Sequence, residues 1–182
     1  MAVKTWTSER VTSADINTYL TNSGLVYVTS QTFSAVASVS FNNCFTSTYD
    51  NYYIQCSVIG SVAGNAYTLR YRSGGTDATS NDYAYWGFYW STSAANLTTT
   101  GTTSLFVNNR STSVYDVTNI YVFGPAQSRT TGHQVDAIEL NTGLLIKTAG
   151  RFGLTSTFDG CTIAAASGTI SGTISVYGYR KP

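Results

Sequence analysis

The sequence predicts an all-β fold, an antiparallel β-sandwich of jelly-roll type preceded by a short N-terminal helix, and three observations lead there. From Gly24 onward, helical periodicity is absent, and short runs of β-branched and aromatic residues recur between Gly, Asn, Ser and Thr turns. Within the runs, side chains alternate: Tyr67, Leu69 and Tyr71 fall on one face, Thr68, Arg70 and Arg72 on the other, the pattern of a half-buried antiparallel strand. The chain has 182 residues, 42% hydrophobic and 14% aromatic, which is enough apolar surface for one substantial core and too little length for a second large domain. The expected division is an attachment segment over residues 1–30 and a sandwich body over 31–182.

The helix is expected over 14–20. Thr12 or Ser13 can cap it, Asp15 in its first turn favours the dipole, and Gly24 stands near its end. Two turns are unstable alone in water, so Ile16, Tyr19 and Leu20, which share one face, must pack on the body or on a neighbouring subunit. Trp6 upstream needs the same shelter, and these four residues read as the attachment contact. Strands are expected at 25–28, 35–41, 52–59, 67–72, 83–90, 104–107, 117–123, 134–140, 144–148, 161–165 and 169–179. Residues 61–65 and 73–77, rich in Gly and Asn, read as turns, and the hydroxyl-rich stretch 92–103 reads as a mobile exposed loop.

Composition excludes several functions. Only 10% of residues are charged, the formal net charge is +1, and polarity is carried by roughly 50 Ser and Thr residues, so no broad field gathers nucleic acid or an acidic membrane. Ser, Thr, Asn or Gly interrupts every apolar run well short of the ~20 residues that cross a bilayer, so no membrane insertion is expected. Polar residues among the first ten leave no apolar secretory core. Cys44, Cys56 and Cys161 form no CxxC pair and read as small buried hydrophobes, with a Cys44–Cys56 bridge open if the two lie on neighbouring strands.

His133 is the single histidine, and without a GxSxG elbow it reads as a loop or strand-start residue. One His and three scattered Cys make no zinc set, and Asp50, Asn51, Asp77, Asn81 and Asp82 read as solvated turns. Glu139 has no acidic partner specified by the sequence for glycoside cleavage. The expectation is a protein without cofactor, metal or catalytic activity.

Residues 82–90, Asp-Tyr-Ala-Tyr-Trp-Gly-Phe-Tyr-Trp, carry aromatic groups on both strand faces. Trp86, Phe88 and Trp90 are expected to fill the core. Tyr83, Tyr85 and Tyr89 then face outward as a subunit interface, a sugar-binding platform or an ordinary solvent-facing strand. Tyr52, Tyr53, Tyr177 and Tyr179 would extend that surface.

Three segments resemble tailed-bacteriophage virion proteins. The opening stretch 1–20, with Trp6 followed by Val11-Thr12-Ser13-Ala14-Asp15-Ile16-Asn17, resembles their N-terminal helix start. Phe45-Thr46-Ser47-Thr48-Tyr49-Asp50-Asn51-Tyr52-Tyr53-Ile54 is similar to their Phe-Ser-x-x-Tyr-Asp-Asn-Tyr-Arg-Ile segment, with Tyr53 where the family often carries Arg. The ending 172–181 resembles their C-terminal strand. The resemblance implies a virion structural component, made in the host cytoplasm and carried on the particle exterior. The expected assembly is a homotrimer with other phage structural proteins as partners. A tail-fibre or tail-associated receptor-binding or adaptor part is the leading reading, and a head decoration (capsid cement) protein is its alternative. A free carbohydrate-binding module that takes a host surface glycan is the competing class.

Overall fold

A computed structural model describes residues 24–109 and 111–181. The helix expected over 14–20, and with it Trp6, Ile16, Tyr19 and Leu20, lies outside the described residues. Within them the chain forms β1 (Leu25–Val36), β2 (Ser38–Phe41), β3 (Asn51–Gly60), β4 (Ala66–Ser73), β5 (Thr76–Asp77), β6 (Tyr83–Trp90) and β7 (Ala94–Thr102). There follow β8 (Leu105–Asn109), β9 (Asp116–Phe123), β10 (Arg129–Glu139), β11 (Leu144–Ser156), β12 (Gly160–Ala165) and β13 (Ile170–Tyr179). Leu25 is already paired with Tyr179, so residues 25–30 belong to the sheet.

All pairings are antiparallel. One sheet runs β1-β13-β3-β9-β10-β11-β6-β7, and the smaller one runs β2-β12-β4-β5, with β8 also pairing β4. Alternation decides what each strand buries. β3 turns Tyr52, Ile54, Cys56 and Val58 inward, β13 turns Ile170, Ile174 and Val176, and β4 turns Tyr67, Leu69 and Tyr71, the side the alternation predicts. Residues from both sheets join one buried cluster, so the two sheets enclose a single core.

Aromatic rings bind the sheets across that core. Tyr71 of β4 stacks on Phe158 at 4.9 Å and lies nearly parallel to Tyr83 of β6 at 5.9 Å. Phe152 of β11 meets Tyr83 and Phe158 edge-on at 4.9 and 5.1 Å, the geometry that the ring quadrupole favours. The Tyr83 hydroxyl accepts from the Tyr71 backbone N–H at 2.9 Å and donates to the Ala78 carbonyl at 3.1 Å, which offsets the cost of burying it.

The turn expected at 73–77 closes the β4–β5 hairpin. Ser73 pairs with Thr76, and Gly74 and Gly75 between them have φ of 56° and 80°, a left-handed pair that side chains with a Cβ adopt only under strain.

Two expectations are corrected. The stretch 92–103 is mostly strand: β7 pairs with β6 from Trp90↔Ala94 to Tyr83↔Thr102. Its low complexity hides a run of Thr, whose β-branched side chain suits an extended edge strand. His133 is neither in a loop nor at a strand start. It sits inside β10, 2% exposed, paired in register with Gly150 and Val122. Several boundaries also moved, since β1 and β11 run on to Val36 and Ser156 and the two-residue β5 is additional.

Because Phe152 touches Tyr71, Tyr83 and Phe158 together, Phe152→Ala is expected to lower the unfolding free energy by about 3–5 kcal/mol. Chemical denaturation measures this, and a loss below about 1 kcal/mol would mean the ring cluster does not hold the sheets.

Candidate functional site

β6 has the opposite orientation to the one expected. Tyr83 and Tyr85 are buried, at 0% and 9% exposure, while Trp86, Phe88 and Trp90 are 46%, 37% and 53% exposed. Period-two alternation separates the two sets, but with aromatic residues in both it carries no sign for the inward one. Packing decides it. Tyr83 fits the ring cluster and both its hydroxyl partners are backbone groups at the sheet junction. Tyr85 stacks on Phe106 of β8 at 6.4 Å. Tyr89 lies on the same side of the strand, yet it is 38% exposed, in the outer half of β6 where burial gives way to exposure. Tyr83 and Tyr85 therefore cannot form a receptor or subunit face, and Tyr52 is buried as well.

The exposed rings belong to a larger surface, the outer face of the eight-stranded sheet. Strand registers place Trp90 beside Leu145, Leu145 beside Ile138, and Ile138 beside Val117. These four lie in one row across β6, β11, β10 and β9, at 53%, 42%, 43% and 38% exposure. The next row is Phe88, Lys147, Asp136 and Asn119. Lys147 and Asp136 are 2.8 Å apart, and the hydrogen bond and charge of Asp136 raise the Lys147 pKa, so the one charged pair in that row cancels itself.

The third row starts at Trp86 and ends in a ladder of tyrosines. Tyr121, Tyr53, Tyr177 and Tyr27 are register neighbours on β9, β3, β13 and β1, with centroids 5.4, 5.9 and 6.0 Å apart. Tyr53 donates its hydroxyl to Asn119 Oδ1 at 2.6 Å. Tyr53, Tyr177 and Tyr179 are the members of the extended tyrosine surface that the sequence placed outward and that do stand on this face.

Gly87 lets β6 lie against β11. A Cβ there would stand 2.0 Å from the Lys147 carbonyl oxygen and 2.7 Å from the Thr148 Cα, so the strand carrying Trp86, Phe88 and Trp90 depends on a residue without a side chain.

The opposite wall of the sandwich differs in character. Outward positions of the smaller sheet include Ser38, Ser40, Thr68, Arg70, Thr162 and Arg72. Arg72 donates to Ser40 Oγ at 2.8 Å, to Thr162 Oγ1 at 2.6 Å and to Asp77 Oδ1 at 2.6 Å. This network ties three strands and the β5 hairpin together.

The titratable groups considered for chemistry are occupied structurally. Burial pushes the His133 imidazole down to about 3, and its Nδ1 lies 3.3 Å from the Tyr71 hydroxyl. Glu139 lines a cleft of about 380 Å³ with Asn109, Ser111 and Leu144. Burial raises its pKa, but hydrogen bonds from Thr142 and Asn141 outweigh that and hold it below the usual value. Asp116 accepts the backbone N–H of Ser111 at 2.6 Å and of Leu140 at 3.0 Å, and burial raises its pKa. Both carboxylates organise the loops beside that cleft. Cys44, Cys56 and Cys161 are buried free thiols, and Cys161 has Cys44 as its hydrogen-bonding neighbour. Among the described residues no three His, Cys, Asp or Glu side chains converge to hold a metal ion.

The sequence matches no protein-family model and no curated protein.

Two outcomes test this description. Gly87→Ala should loosen β6 from β11 and accelerate amide exchange along 83–90, read by hydrogen-exchange mass spectrometry; unchanged protection would contradict the close approach. A histidine held at about 3 against an ordinary 6.5 leaves the unfolded chain the better proton acceptor between those values. The His133 contribution is thus complete above about pH 6.5 and is lost as pH falls toward 3, by up to about 1.4 kcal/mol per pH unit. Unfolding free energies between pH 7 and pH 5 should decline in the native protein and decline less in His133→Phe. Parallel slopes would sink the assignment.

Proposed function

We propose that this chain is a non-enzymatic structural subunit on the exterior of a tailed-bacteriophage particle, homotrimeric, serving as a tail-associated receptor-binding or adaptor component. One observation carries the reading, the strand order. Taken in chain order, β1, β2, β3, β4, β8, β9, β12 and β13 distribute as β1-β13-β3-β9 in one sheet and β2-β12-β4-β8 in the other. That order supports a reading as two interleaved Greek keys of jelly-roll type, with the β6–β7 and β10–β11 hairpins widening the first sheet. Jelly rolls recur in viral capsid and lectin domains, so the topology supports a virion or glycan-binding role by analogy of fold.

The three resembling segments favour the virion among these. The structural employment of His133, Glu139 and Asp116 supports a protein without catalysis. The exposed aromatic face supports a role in contact with other proteins. In this reading residues 1–22, through Trp6, Ile16, Tyr19 and Leu20, join the subunit to the particle while the sandwich faces outward.

Deleting residues 1–22 should leave a folded sandwich that no longer joins particles. Particles purified from an infection supplying the tagged chain measure this by immunoblot, and undiminished occupancy would reject the attachment role. Immunogold labelling separates the two particle positions: label at the tail supports the adaptor reading, label over the shell supports head decoration. Retention on a glycan array, abolished by Trp86→Ala in a protein that never joins particles, would favour the carbohydrate-binding module.

A further inference from the structure

We infer that the apolar block formed by Trp86, Phe88, Trp90, Leu145, Ile138 and Val117 on the outer face of the eight-stranded sheet is the seat of a second copy of this chain. The inference rests on the homotrimer reading and names the surface that assembly uses.

Area is the first argument. The three rings are 46%, 37% and 53% exposed, and rings of this kind carry roughly 150–250 Å² each, so together they present on the order of 300 Å². Leu145, Ile138 and Val117, 42%, 43% and 38% exposed, add on the order of 100 Å². A contiguous block of roughly 400 Å² is at the scale of the largest patch on a typical monomer, a patch that is often functional. It is about half of the ~800 Å² that each partner contributes to a stable interface, and a homo-oligomeric interface is apolar over about two-thirds of its area. The Phe88 row, which pairs with Asn96 of β7 on one side and continues through Lys147, Asp136 and Asn119 on the other, supplies polar surface beside it.

Charge is the second. The block holds no charged side chain, and the neighbouring Lys147 and Asp136 are paired at 2.8 Å. An acidic or basic partner finds nothing there to complement, whereas a second copy, itself almost neutral, is not repelled from it. With a net charge of +1, the whole molecule lacks the self-repulsion that keeps copies apart.

The third argument is the edge beside the block. β7, Ala-Ala-Asn-Leu-Thr-Thr-Thr-Gly-Thr, ends the sheet next to β6 with no Pro and no charged residue along its nine positions. Solitary proteins guard such edges with those residues, and symmetric assemblies cover them. The outer face of the smaller sheet, with Ser, Thr and a tied Arg72 network, has no exposed large apolar side chain on β2, β4 or β12.

The test uses the full chain in sedimentation velocity over a concentration series, with Trp90→Arg and Leu145→Arg on the block and Ser38→Arg on the opposite wall. Each block variant should weaken self-association roughly 30-fold or more, with an unchanged circular dichroism spectrum, and Ser38→Arg should behave as the native chain. Acrylamide quenching in a Trp6→Phe background gives a second readout that does not depend on the variants folding. Trp86 and Trp90 should be shielded at assembling concentrations and become accessible on dilution.

An oligomer that survives both Trp90→Arg and Leu145→Arg, with Trp86 and Trp90 of the Trp6→Phe chain still quenched at assembling concentrations, overturns the inference while leaving the virion reading standing. A native chain that stays monomeric at high concentration overturns both the inference and the homotrimer. Shielding that persists in a diluted monomer means that residues 1–23 of the same chain cover the block, and it overturns the inference as well.

Discussion

Contact between rings across the two sheets is the constraint on which the rest depends. Tyr71 is the one member of the cluster from the smaller sheet's main strands, and it touches Tyr83, Phe152 and Phe158 at once. Each of those residues is on, or next to, a strand that continues toward the outer face: β6 carries Tyr83, β11 carries Phe152, and Phe158 lies between β11 and β12. Once Tyr83 is drawn inward, the pleat sends Trp86, Phe88 and Trp90 to the other side. The exposed aromatic surface is thus a consequence of how the core is closed.

The two tyrosines at the heart of that core keep their hydroxyls paired. Tyr83 uses backbone groups of residues 71 and 78, and Tyr67 pairs its hydroxyl with Thr118 of β9 across the sheets. A charge-poor chain can bury such groups because hydroxyl-to-hydroxyl and hydroxyl-to-backbone bonds need no counterion. Burial raises the pKa of Tyr67 and Tyr71 far above the ordinary phenol value, so both remain neutral donors wherever the protein is folded. His133 obeys the same rule from the other direction: in a dry core the uncharged imidazole is the form that survives.

The two walls of the sandwich then divide the remaining polarity. On the smaller sheet, Arg72 spends its guanidinium on Ser40, Thr162 and Asp77, a local network that stiffens strand pairing. On the larger sheet the Lys147–Asp136 pair is flanked by apolar and tyrosine rows. A wall made this way loses little by being covered, since hardly any charge has to be stripped of water.

Most strand positions, their parity and the turns at 61–65 and 73–77 were legible in the residues themselves. Alternation in Tyr67–Arg72 put Leu69 inside and Arg70 outside, and Gly74-Gly75 marked a turn, because both signals act over neighbouring residues. Three features needed the folded chain. Which aromatic set of β6 points inward depends on Tyr71 and Phe152, distant in sequence, and alternation has no sign of its own. β7 is a strand because β6 offers it a pairing edge; its Thr-rich composition is shared by loops. The row Trp90, Leu145, Ile138 and Val117 exists only through the registers of three strand pairs. Local periodicity therefore determined that this is an all-β protein, whereas register and long-range packing decided which of its aromatic residues fill the core and which meet the outside.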